Sequence, residues 1–224
     1  MSNVPKIKIC GLTKPEEAEY LNECGVDYAG FVFYEKSRRN VTLNKADKIM
    51  GRLDERIKKV AVTVSPDEGL VERIADTGFD LIQIHGELNM DVLGKIKIPV
   101  WRAVNIADLS EAEKLLDPVF TEDEAACNKI TGILMDAPDF GSGKTFNWHK
   151  SRRLLKAGDR SSPFTGRDLI LAGGLNGSNV REGIKLFDPD VVDVSSSVEG
   201  ESGKSREKIF EFVNAVRSKQ GETK

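Results

Sequence analysis

The feature that most constrains this chain is the run Tyr28-Ala29-Gly30-Phe31-Val32-Phe33-Tyr34, a strand-length segment that is apolar at nearly every position. Side chains alternate faces along a strand, so such a run must be covered on both sides, as in a parallel sheet flanked by helices. The rest of the chain repeats the theme. Strand-like segments fall at Lys6 to Cys10, Tyr28 to Tyr34, Lys58 to Val64, Leu81 to His85, Val100 to Val104, Gly132 to Met135 running into Asp136, Asp168 to Ala172 and Val191 to Ser195. Helical segments are predicted at Pro15 to Cys24, about Leu43 to Leu53, Pro66 to about Asp76, Leu88 to Lys95, about Leu109 to Leu116, from about Trp148, from about Asn179, and at about Ser205 to Arg217. The first has acidic residues in its opening turn and Gly25 at its end, and Pro66 is placed just inside its helix.

Eight strand–helix units in 224 residues predict an α/β fold of one domain, a closed (β/α)8 barrel. An open doubly wound sheet fits less well, because no dinucleotide fingerprint follows the first strand. Residues 117–131 read as a peripheral insertion, with Thr121-Glu122-Asp123-Glu124 as a capping box for a short extra helix. Residues 137–146, rich in glycine, read as a mobile lid. Within them Gly141-Ser142-Gly143-Lys144-Thr145 resembles the tail of a P-loop, but Pro138 stands where that loop needs its first glycine.

A net charge of -3 carries no general attraction to nucleic acid or to an anionic membrane, so an anionic ligand must be held by local groups. There is no secretory-type leader and no apolar stretch near the ~20 residues of a membrane span, so the expected compartment is the cytoplasm. Cys10, Cys24 and Cys127 are odd in number and widely spaced, which points to free thiols rather than disulfides or zinc ligands.

On the first strand Ile7 and Ile9 face the helices, which turns Lys8 and Cys10 into the barrel. The same parity turns Gln83 and His85, and Gly132, Leu134 and Asp136, inward. Cys10 and Asp136 then lie at the C-terminal mouth, where barrel enzymes place their chemistry, as a candidate base and acid. Taken singly, a buried cysteine is ordinary packing and a strand-end aspartate an ordinary turn residue; their joint position is the signal. Asp193 shares the inward parity of Ser195, so a Lys8 to Asp193 pair across the closing strands is expected, with Lys8 favouring a Cys10 thiolate. After the seventh and eighth strands, Gly173-Gly174 and Ser195-Ser196-Ser197 form turns suited to phosphate binding. No metal-ligand grouping surrounds His85 or His149.

These motifs together resemble the phosphoribosylanthranilate isomerase family from end to end. The carriers are Lys8-Ile9-Cys10-Gly11-Leu12-Thr13, Gly30 to Tyr34 with Lys36-Ser37-Arg38-Arg39, Gln83-Ile84-His85-Gly86-Glu87, Leu134-Met135-Asp136, Gly141 to Trp148, Ala172 to Asn176, and Val192 to Ser196. The resemblance implies an Amadori rearrangement of N-(5-phosphoribosyl)anthranilate in tryptophan biosynthesis, with Cys10 as general base, Asp136 as general acid and Arg39 on the anthranilate carboxylate. It implies a small phosphosugar substrate, no cofactor, and a monomer or homodimer. Gln83, His85 and Asp193 are expected to line the substrate pocket. The chain departs from the family at Ser197, where glycine is usual, and at Val62-Thr63-Val64-Ser65, where Val-Phe-Val-Asn is typical. An altered phosphate turn and a looser wall are the expected consequences. Rival readings are the aminoaldose isomerase of histidine biosynthesis, which has aspartate where Cys10 stands, an indole-forming synthase, and a non-catalytic phosphate binder.

Overall fold

The computed structural model describes residues 4–105, 128–136 and 166–218. Strands β1 (Lys6–Cys10), β2 (Tyr28–Phe33), β3 (Lys58–Val64), β4 (Leu81–His85), β5 (Val100–Asn105), β6 (Ile130–Asp136), β7 (Asp168–Leu171) and β8 (Val191–Val194) close into a barrel in chain order. Every pairing around it is parallel, and β8 returns to β1 with Lys8 level with Asp193. Helices α1 (Pro15–Cys24), α2 (Leu43–Met50), α3 (Glu68–Ala75), α4 (Met90–Lys95), α5 (Val180–Phe187) and α6 (Arg206–Arg217) follow β1 to β4, β7 and β8. A short hairpin, β9 (Glu199–Gly200) with β10 (Gly203–Lys204), lies between β8 and α6.

Local chemistry sets the helix starts. Thr42, Asp67, Asn89 and Ser205 each accept a backbone N–H of the first turn, satisfying donors that have no partner within the helix. Asp67 does this for Leu70 at 2.7 Å, so α3 begins after Pro66 rather than containing it. The opposite barrel end carries a repeated clasp. Asp27, Asp80 and Asp190, each just before an even-numbered strand, accept the N–H of Ile7, Lys59 and Leu169 on the preceding strand at 2.8, 2.7 and 2.8 Å.

Two apolar layers follow from strand parity. Ile7, Ile9, Phe31, Ile82 and Ile84 pack outward in the layer between barrel and helices. Tyr28, Val60, Leu81, Trp101, Leu134 and Ile170 fill the interior. Trp101 is the large plug: it meets Tyr28 at a ring-centroid distance of 4.9 Å, and Gly132 makes room for it, since a Cβ there would lie 2.6 Å from the indole. With the lower barrel filled, open space remains at the C-terminal mouth.

Several expectations are corrected or fall elsewhere. Strand β6 begins at Ile130, so residues 130–131 belong to the barrel and not to the 117–131 insertion. The remainder of that insertion up to residue 127, the 137–146 lid with Lys144, the helices expected near 109–116 and from Trp148, His149 and Cys127 lie outside the described residues. Thr63 faces the helices, buried, and donates to the Gln83 carbonyl at 3.2 Å, so its change from phenylalanine does not touch the inner wall. Among the described residues no helix is long and apolar enough to cross a membrane.

Candidate active site

The mouth holds a cavity of about 540 Å³ whose lining includes Cys10, Asp136, Gln83, His85, Arg39 and Asp193, with Gly173, Gly174, Ser195 and Ser196 along one side. Cys10 ends β1 and stands level with Gly30 on β2. Gly30 leaves the thiol room, since a Cβ there would crowd the Cys10 Sγ at 3.0 Å. Asp136 ends β6, three strands away from β1 around the ring, so the thiol and the carboxyl enter one cavity from separated walls.

Beneath the thiol, Lys8 is fully buried and donates to Asp193 Oδ2 at 2.8 Å. Burial alone would loosen the Lys8 proton, but Asp193 and Cys10 outweigh it, and the ammonium form is favoured. Burial pushes the Cys10 thiol up; Asp193 adds to this, while Lys8 and Lys204 pull it down without reversing the direction. Lys8 thus acts on Cys10 in the expected sense, yet it does not by itself make a thiolate. Its charge is matched by Asp193 beside it, and desolvation of the thiol is the larger effect.

The pair Gln83 and His85 forms the opposite inner wall, with Gln83 Nε2 and His85 Nε2 2.7 Å apart. Burial pushes His85 down to about 3, with Lys8 and Arg102 acting the same way, so the imidazole is neutral. The Gln83 amide nitrogen then donates to it. Arg102, passed over in the sequence, supports this wall from outside by donating to the Ile84 carbonyl at 2.8 Å and to that of Gly86.

Arg39 lies over Gly11, next to Cys10. Gly11 has φ +85°, and a Cβ there would fall 2.5 Å from Arg39 Cδ, so only glycine allows this approach. Arg39 Nε donates to Glu199, which also pairs with Arg38 and with Lys204. Glu199 and Lys204 are site residues that the sequence reading did not single out. Their signal was present in Glu199-Gly200 and Gly203-Lys204, a charged residue and a glycine mirrored about a turn, which is a hairpin pattern.

On the anion-facing side, Gly173 and Gly174 take φ +83° and +67°, conformations open to glycine. The turn is held by Asn179 Nδ2, which donates to the Gly174 carbonyl at 3.0 Å. Ser195 ends the strand and donates its hydroxyl to the Cys10 carbonyl at 2.9 Å. Ser197 is corrected: it lies in a 3-10 turn (Ser196–Val198) without positive φ, so its Cβ is not strained there. Its hydroxyl donates to the Leu175 carbonyl at 2.6 Å and does not line the cavity.

Buried polar atoms on cavity-lining residues without a hydrogen-bond partner among the described residues include the donor Arg39 Nη2 and the acceptors Gln83 Oε1 and Asp193 Oδ1. Unfilled polar atoms are costly in a protein interior unless a ligand completes them. The donor suits an anionic oxygen and the acceptors suit hydroxyls. Among the described residues no cluster of His, Cys, Asp or Glu is arranged to hold a metal.

A closed parallel barrel with a thiol and a carboxyl at one hollow mouth, beside a double-glycine turn, is the architecture of a (β/α)8-barrel enzyme. Comparison with known proteins narrows this class. Residues 7–215 match the family N-(5'-phosphoribosyl)anthranilate (PRA) isomerase. The chain is 39% identical over 214 residues to N-(5'-phosphoribosyl)anthranilate isomerase of Thermoanaerobacter pseudethanolicus, covering 95% of this chain and 98% of that protein. Among solved structures, phosphoribosyl anthranilate isomerase from Thermotoga maritima is 31% identical with a TM-score of 0.77, covering 95% of this chain and 98% of that one. A phosphoribosyl anthranilate isomerase in complex with reduced 1-(o-carboxyphenylamino)-1-deoxyribulose 5-phosphate is 30% identical with a TM-score of 0.75, again covering 95% and 98%. The chain belongs to the N-(5'-phosphoribosyl)anthranilate isomerase family.

Proposed function

We propose that this chain converts N-(5-phosphoribosyl)anthranilate to 1-(o-carboxyphenylamino)-1-deoxyribulose 5-phosphate, the Amadori step of tryptophan biosynthesis, with Cys10 as base and Asp136 as acid. The observation that carries the assignment of parts is the set of unfilled groups around one cavity shared by Cys10 and Asp136. Arg39 Nη2 takes the anthranilate carboxylate, a planar anion matched to a guanidinium edge. Asp193 Oδ1 and Gln83 Oε1 accept from sugar hydroxyls, and neutral His85 lines the same wall. Backbone N–H groups of Gly173, Gly174, Ser195, Ser196 and Ser197 receive the phosphate, without use of the Ser197 hydroxyl.

In the reaction, Asp136 gives a proton to the furanose ring oxygen as the bond from that oxygen to C1 breaks, leaving a protonated Schiff base. The Cys10 thiolate removes the proton on C2, and the electron pair moves to form the C1–C2 double bond while the C1–N double bond becomes single. The enolamine becomes the ketone as its hydroxyl loses a proton and C1 gains one. Cys10 ends as thiol and Asp136 as carboxylate, and exchange with solvent restores both. The raised thiol pKa means that the thiolate needed here is a minor form at neutral pH in the unliganded chain, increasing with pH.

Turnover of phosphoribosylanthranilate by the wild type, Cys10→Ser and Asp136→Asn tests this reading. The wild type is expected to turn over, and each variant to lose about 10²- to 10⁴-fold in kcat. An inactive wild type would refute the function, and full activity in both variants would refute the mechanism.

A further inference from the structure

The β9–β10 hairpin brings two charged residues to the site for which the reaction above has no chemical step. Glu199 Oε1 accepts from Arg39 Nε and lies 3.1 Å from Lys204 Nζ, while Oε2 pairs with Arg38. Lys204 Nζ also donates to the Ser195 carbonyl at 3.0 Å, and Ser195 in turn donates to the Cys10 carbonyl. The hairpin is anchored from behind by Glu17, which is buried: its Oε1 accepts the Lys204 N–H at 2.8 Å and its Oε2 the Lys14 N–H at 3.1 Å.

Three cations therefore meet one carboxylate. Arg38 is mostly exposed and its charge is screened by solvent, but the Lys204 side chain is only 1% exposed and that of Arg39 11%. Among the described residues the two buried cations pair with one carboxylate, Glu199, so cations outnumber their ion-pair partners in this corner. The unfilled donor of that corner is Arg39 Nη2. Because Nε is held by Glu199 and the Cδ rests on Gly11, the planar guanidinium has one orientation and Nη2 one direction.

We propose that Glu199 and Lys204 are positioning residues that lock Arg39 so that its unfilled donor meets a ligand carboxylate, making this hairpin the determinant of selectivity for a carboxylated aryl group over an uncarboxylated one. The inference rests on the substrate reading given above and extends it to residues outside the reacting atoms. A site built around a buried, unfilled charged donor rejects an analogue lacking the matching acceptor more strongly than an apolar pocket can.

The test is calorimetric binding of two ligands, reduced 1-(o-carboxyphenylamino)-1-deoxyribulose 5-phosphate and the same compound without its carboxyl group. Wild type, Glu199→Gln and Glu199→Gln/Lys204→Met are compared; the double variant removes both charges, so no lysine is left buried without its anion. Each variant is expected to lose about 10-fold of the preference for the carboxylated ligand. In Glu199→Gln, binding of the carboxyl-free ligand should change less than about 2-fold, since the Glu199 carboxylate pairs with the Arg38, Arg39 and Lys204 side chains and not with a group assigned to the phosphate or sugar hydroxyls. An unchanged preference, or an equal loss for both ligands, would overturn the positioning role. A wild type that binds neither ligand would instead overturn the substrate reading.

Discussion

Exchanging the two members of the buried pair under the thiol should move the pH dependence of the reaction in opposite directions. In Lys8→Met the ammonium 2.8 Å from Asp193 is lost and both former partners of that charge stay buried. Breaking a buried pair in this way costs roughly 3–5 kcal/mol of folding stability. At about 2–4 °C per kcal/mol for a chain of this size, the melting temperature should fall by about 6–20 °C. The thiol loses a cation that pulls its pKa down, so less thiolate is present at a given pH. Partial protonation of the orphaned Asp193 cancels part of that effect, because a neutral Asp193 no longer pushes the thiol up. A net rise remains, since Lys8 is the largest of the influences that pull the thiol down. The rising limb of kcat/KM against pH, followed from about pH 6 to 10, should therefore move to higher pH. In Asp193→Asn the anion that pushes the thiol up is removed and Lys8 is left to the thiolate, so the limb should move down, alongside a higher KM. Movement of both limbs in the same direction, or of neither, would refute the account of how Lys8 and Asp193 act on Cys10.

Three other outcomes are expected. Gly11→Ala, which places a Cβ against Arg39 at φ +85°, should cost about 1–2 kcal/mol of stability by thermal unfolding and raise KM more than it lowers kcat. Asp27→Ala removes the acceptor held by the Ile7 N–H at 2.8 Å at the far end of the barrel; it should cost roughly 1–3 kcal/mol in denaturant unfolding and leave kcat/KM unchanged. His85, pushed down to about 3, is neutral when folded but has an ordinary pKa near 6.5 when unfolded, so stability is full above about pH 6.5 and falls as pH drops toward about 3. The loss attributable to this group approaches about 1.4 kcal/mol per pH unit, and His85→Gln should flatten the stability curve between about pH 6 and 4; parallel curves would contradict it.

Sequence alone determined the eight strands, their order around one barrel and which side chains point inward, because a period of two is a local property of a strand. Parity on β1 and β8 was enough to bring Lys8 to Asp193, and strand ends were enough to bring Cys10 and Asp136 to one mouth. Helix starts were less legible: Pro66 has the residue preference of a first helical turn, yet the side chain of Asp67 supplies the cap and the helix begins at Glu68, two residues later. Tertiary structure decided what depends on loops meeting across the chain. Arg39 and Glu199, 160 residues apart, carry no shared periodicity, and Lys204 joins them because a two-strand hairpin folds back over the mouth. The Ser197 hydroxyl turns to Leu175 because a 3-10 turn directs it there, which the run of three serines does not disclose. The protonation preference of Cys10 also belongs to the folded state. A neighbouring lysine can be read from a strand, whereas the desolvation that outweighs it is produced by the closed barrel as a whole.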